Sequence, residues 1–168
     1  MKKLFKTSLF FAVFFLAALL SSAQSKKVDI PVANLPKEVK GVLEQYVEIL
    51  RNAKDVDDCA NQFTAIAGGS LVNEDVENIS LRQTVKPFSL KKDYNDIKFY
   101  AYPIKITRVN VSNTSGTGYG ASAVAGKIYK VWIEKANKNN GMPAPISIIV
   151  PENHPTIKTP KVVGIGSL

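Results

Sequence analysis

One cysteine and one histidine are all that the 168 residues hold. A lone thiol forms no internal bridge, so the fold rests on apolar burial. Zinc sites normally take several Cys or His ligands, and this chain has one of each. No G-x-S-x-G, H-E-x-x-H or paired-cysteine pattern occurs. The densest acidic stretch, "NEDVEN" from Asn73 to Asn78, lacks the alternating acids and the glycine of a calcium loop. No catalytic set and no metal or cofactor site is therefore assigned. Cys59 reads as a small packing residue on a helix face. His154, in "PENHP", reads as a turn residue, although Glu152 stands near enough in sequence for a dyad.

What is present begins with an export signal. Lys2, Lys3 and Lys6 precede Leu9–Leu20, an unbroken run of 12 apolar residues, and "SSAQ" follows. This is the layout of a secretory signal peptide, 1–23, cleaved between Ala23 and Gln24. A membrane span needs about 20 apolar residues, so the run is short for one. The expected location is periplasmic or extracellular, with no span after cleavage. Charge is uneven beyond the leader. Residues 24–80 carry 6 basic and 10 acidic groups, whereas residues 81–168 carry 13 basic and 4 acidic. A basic half suits anionic polysaccharide, lipid head groups or an acidic partner. There is no Arg-rich stripe to favour nucleic acid.

Residues 24–35 read as an exposed lead-in, and 36–168 as one domain. Val39, Val42, Leu43, Tyr46, Val47, Leu50 and Ala53 recur at three- and four-residue steps behind Pro36, which predicts an amphipathic helix. Val56, Cys59, Ala60, Phe63, Ile66 and Ala67 predict a second, stopped by Gly68-Gly69. Asp55 or Asp57 suits its N-cap, and a capping role also explains the adjacent acids Asp57 and Asp58. "ISLRQTV" alternates like a strand, and "SLKKDYND" predicts a short helix capped by Ser89. The rest is β-rich: 97–111, 127–136, 145–150 and a last strand in "KVVGIGSL".

"NTSGTGYGASAVAG", 113–126, twice fits a loose dinucleotide fingerprint. That fingerprint requires a helix after the glycines. Here "KIYKVWIEKA" follows, with strand character, so the glycines predict a flexible turn between two long strands. The remaining feature is aromatic residues beside cations. Period-two alternation puts Lys98, Tyr100, Tyr102, Ile104, Ile106 and Arg108 on one strand face, with Trp132 on the next strand. Tyr100, Tyr102, Arg108 and Trp132 are thus the candidate ligand-binding residues, though packing against the helices would also account for these aromatics.

The expected fold class is α+β: two N-terminal amphipathic helices packed on a curved, mostly antiparallel sheet. This element order, over 36–168, resembles the NTF2-like and cystatin-like cone folds. The resemblance implies a pocket between helices and sheet, and such folds serve as enzymes and as binding modules. It carries over no catalytic residue. Three functions follow as expectations. The first is an exported non-enzymatic protein binding a small ligand or an envelope component. The alternatives are a small pocket isomerase or hydrolase using a buried Asp93 or Asp96, and a protein-interaction or inhibitory module acting through the basic half.

Overall fold

The computed structural model describes residues 26–72, 80–137, 141–142 and 144–168. The leader with its Ala23–Gln24 junction, and the acidic stretch Asn73–Asn78, lie outside the described residues. The architecture is α+β. Five strands, β1 (Val28–Ile30), β2 (Ile106–Thr117), β3 (Val124–Ile133), β4 (Pro145–Pro151) and β5 (Lys161–Gly164), form an open sheet in chain order. Every neighbouring pair is antiparallel.

Among the described residues, three α-helices accompany the sheet. α1 (Lys37–Asn52) follows Pro36 and buries Val39, Leu43, Tyr46, Val47, Ile49 and Leu50, close to the stripe read from its periodicity. Glu38 sits in its first turn and Arg51 in its last, matching the helix dipole at both ends. α2 (Val56–Phe63) is capped as expected. The Asp55 carboxylate accepts from the Asp58 N–H at 2.8 Å. Asp58 reaches back to accept from the Lys54 N–H at 2.9 Å, a reciprocal cap that satisfies two donors at the helix start. Cys59 is fully buried, and burial pushes its thiol up to about 12. The third, α3 (Lys91–Asp96), continues directly from a π-helix over Leu81–Leu90.

That π-helix corrects two readings. Residues expected as a strand in "ISLRQTV" are helical from Leu81, and Ser89 lies inside the helix rather than capping one. Leu81, Val85 and Leu90 are its buried residues, spaced four and five apart. Such spacing suits the wide i→i+5 turn. Pro87 sits within it, where an α-helical turn would bring its ring against the Gln83 carbonyl four residues back.

The lead-in contributes an element of its own. Its residues stay mostly exposed, yet Val28–Ile30 adds an edge strand in register with Val109–Val111. β2 starts later than expected. Ile97–Phe99 forms a 3-10 turn, and Tyr100 makes an isolated bridge to Lys135 outside the named strands. Pro103, which donates no ladder hydrogen bond, lies in the gap before β2.

The helices cover one sheet face. Val109, Val131, Ile133, Ile146, Ile148 and Val162 meet the helix stripes there, each 1% exposed or less. One carboxylate sits inside this apolar layer. Asp93 is fully buried and accepts from the Tyr46 hydroxyl at 2.8 Å and from the N–H groups of Gly166 and Leu168 at 2.9 and 3.0 Å. Burial raises its pKa, and these three donors oppose that shift.

The glycines of 113–126 serve the β2–β3 hairpin. Gly118 has φ +99°, and a Cβ there would meet the Gly69 backbone at 2.7 Å. Gly126 has φ +149°, and its Cβ would fall 2.1 Å from the Val150 carbonyl oxygen.

Two outcomes follow. Gly126→Ala is expected to cost about 3 kcal/mol through strain and displacement of β4, read by urea unfolding. A cost within experimental error would show that β4 does not pack as closely as described. Asp93→Ala, which strands two buried donors and one partly buried donor, is expected to cost about 3 kcal/mol, and Tyr46→Phe about 1 kcal/mol. Equal, small effects would mean that the carboxylate does not hold the segment.

Candidate functional site

The uncovered face of the sheet carries the candidate site, and a single extra residue creates it. Ile106 pairs with Ile133, but Arg108 pairs with Trp132, so the ladder slips at Thr107. Strict alternation would put Ile106 and Arg108 on one face. The bulge breaks that parity. Ile106 turns to the core, Arg108 turns outward, and Val109 returns to the core. The Thr107 hydroxyl fastens the irregular turn by donating to the Trp132 carbonyl at 3.3 Å.

Two cross-strand rows result. One runs Arg108, Trp132, Pro145 across β2, β3 and β4. The next runs Asp29, Asn110, Lys130, Ser147 across β1 to β4. The Arg108 guanidinium lies 4.9 Å from the Trp132 ring centroid. Its Nε and Nη2 donate to the two Asp29 oxygens at 2.9 and 3.1 Å, a bidentate pair. Asn110 donates to the same carboxylate at 3.2 Å. Arg108 first, then Asn110, holds the Asp29 carboxyl below its ordinary value. Arg108 and Asp29 are exposed, Trp132 and Lys130 half-buried, and Asn110 buried. A small apolar cluster of Val124, Ile149 and Val163, with Ile128 and Ile157 against it, bounds the terrace on one side.

The four sequence-derived residues therefore divide. Arg108 and Trp132 come together. Tyr100 and Tyr102 share no strand face with Arg108, because 97–105 is not strand. Tyr100 is 2% exposed, with the Lys135 ammonium 5.1 Å from its ring centroid. Tyr102 is exposed and packs over the Arg51 guanidinium at 4.5 Å, with its hydroxyl donating to Glu48. Arg51 in turn donates to the Tyr100 carbonyl at 2.8 Å, so this second cluster braces the chain entering β2.

Sequence reasoning missed Asp29, Asn110 and Lys130. The alternation in "VDI" was a signal for Asp29. The other two required the register. His154 fills its expected turn, where its Nδ1 accepts from the Ile157 N–H at 2.8 Å. Of the two acids considered for pocket chemistry, Asp93 is enclosed by its three donors, and half-exposed Asp96 pairs with Lys92 at 3.3 Å.

Because Asp29 has a depressed pKa, its contribution to docking β1 is complete above the unfolded value of 3.8 and is lost as pH falls through the folded one. Arg108→Ala is expected to weaken that dependence, leaving only the Asn110 hydrogen bond to hold the carboxyl down. It is also expected to speed amide exchange at Val28 and Ile30 and to shift Trp132 emission, while α1 amides keep their protection. Unchanged exchange and emission would contradict the linkage. No protein-family model, curated protein or solved structure matches this chain.

Proposed function

We propose that this is an exported binding protein without catalytic chemistry, whose outer sheet face takes a saccharide portion of a cell-envelope component. The observation that carries the reading is the terrace of Arg108, Trp132, Asp29, Asn110 and Lys130 on the sheet face opposite the helices. A polyhydroxylated ring needs donors and acceptors alternating over a short distance, beside an apolar surface. The carboxylate, guanidinium, amide and ammonium supply the polar groups, and the indole supplies the apolar one. Asp29 offsets Arg108, while no ion pair reaches Lys130 among the described residues. The face therefore suits neutral or mildly anionic sugars better than a phosphate.

The other expectations find less support. Asp93, the carboxylate that a pocket enzyme would need, is occupied in tying the structure together. The cone-fold resemblance rests on element order and supplies no site residue. Tyr100 and Tyr102 leave the proposed ligand set, since one is buried and the other belongs to the Arg51 brace.

Trp132 is the single tryptophan, so its emission reports directly on this face. Titration with a panel of soluble oligosaccharides, neutral and uronic-acid-containing, is expected to give a saturable change with at least one class. Trp132→Phe is expected to weaken that affinity, measured calorimetrically, by roughly tenfold, and Asn110→Ala by a similar factor. A panel that binds nowhere, or that binds both variants as tightly as the parent, would reject the site.

A further inference from the structure

A different surface carries a second reading. Phe88 on the π-helix is 70% exposed, and Phe99, just beyond α3, is 40% exposed. Between them Lys91, Lys92, Asn95 and Lys98 are also exposed. These residues lie on consecutive helical segments: Phe88 on the π-helix, Lys91, Lys92 and Asn95 on α3, and Lys98 and Phe99 on the 3-10 turn that follows. Phe88, Lys91, Lys92 and Asn95 line one shallow open depression, and Asn95 and Lys98 line the next.

The charge on this face is one-sided. Asp93 is turned into the core, and Asp96 is paired with Lys92. Lys86 is paired with Asp57. Among the described residues, Arg82, Lys91 and Lys98 have no acidic partner. Lys98 instead lies 5.1 Å from the centroid of the Phe99 ring.

We infer that this face docks the protein peripherally on an anionic lipid surface. An exposed aromatic ring enters the boundary between head groups and acyl chains, where it loses water without unmatched polar groups. Lysines beside it keep their ammonium groups among anionic head groups while their stems lie along the apolar boundary. An acidic protein would satisfy the lysines but gives no reason for a ring as exposed as Phe88. No helix among the described residues is long and apolar enough to cross a membrane, which is consistent with surface attachment. The inference is independent of the sugar-binding proposal, because Trp132 and Arg108 are not part of this face.

The test is sedimentation with vesicles of phosphatidylcholine alone and of phosphatidylcholine with phosphatidylglycerol. The protein is purified from the cells that make it, with its N-terminus read by mass spectrometry. All variants are compared in that one form, so any apolar leader adds equally to every sample. Binding is expected to the anionic vesicles only, and to weaken as salt rises. Lys91→Gln with Lys98→Gln is expected to lower partitioning by roughly 20- to 30-fold, taking about fivefold for each lysine at an anionic surface. Phe88→Ser is expected to lower it by about tenfold. Because these side chains are exposed, far-UV circular dichroism should match the parent. Trp132→Phe should bind vesicles like the parent. Equal binding to both vesicle types would overturn the proposal, as would binding that neither helix variant weakens. So would soluble polyglutamate binding as tightly as vesicles and unaffected by Phe88→Ser, which would reassign the face to an acidic polymer.

Discussion

The buried carboxylate of Asp93 is the constraint on which the rest of the structure depends. Taking a carboxyl group out of water is costly, and only a full set of donors makes it tolerable. Here the donors come from far apart in the chain: the Tyr46 hydroxyl of α1 and two backbone N–H groups beyond β5. Satisfying one carboxylate therefore fixes α3 against α1 and folds the segment after β5 beneath them. Tyr46 also packs on Phe63 of α2 at 5.1 Å between ring centroids, which links all three helices. The inner sheet face is closed by this arrangement. Contact chemistry is left to the opposite face and to the outer side of the helices.

On the opposite face, one inserted residue decides what is presented. Without the slip at Thr107, Arg108 would share the inward face with Ile106, and a guanidinium would have to enter the core or disrupt it. With the slip, Arg108 lies across from Trp132 and within reach of Asp29. The pairing also explains why a three-residue edge strand is retained. β1 contributes few ladder hydrogen bonds, but it brings the carboxylate that orients Arg108. The glycines of 113–126 have a related, purely spatial role. At Gly118 and Gly126 the backbone passes so close to other backbone that a side chain would collide, so these two glycines are required by packing.

Much of the fold was legible because it follows from local chemistry. The α1 stripe, the Asp55–Asp58 cap, the buried Cys59, the hairpin around the glycines and the turn at His154 all follow from spacing or from neighbours in sequence. The features that were missed depend on distant partners. Leu81 and Val85 are four apart, a separation that a strand and a helix share, and only their packing selects the helix. A bulge leaves no mark on periodicity until the partner strand supplies the register. Two of the five residues of the candidate site, Arg108 and Trp132, were therefore visible. Asp29, Asn110 and Lys130 were not, since cross-strand neighbours are set by pairing. Tyr100 and Tyr102 entered the expected site through an alternation that continued past Pro103, where the strand does not.

The most direct test of the outer face as the binding surface is a map of backbone amide chemical shifts of the isotopically labelled protein during titration with an oligosaccharide that changes Trp132 emission. The expected shifts centre on Asp29, Arg108, Asn110, Lys130 and Trp132, with the amides around Asp93 unmoved. Shifts centred instead on the inner core, or on the face between Phe88 and Phe99, would contradict the assignment.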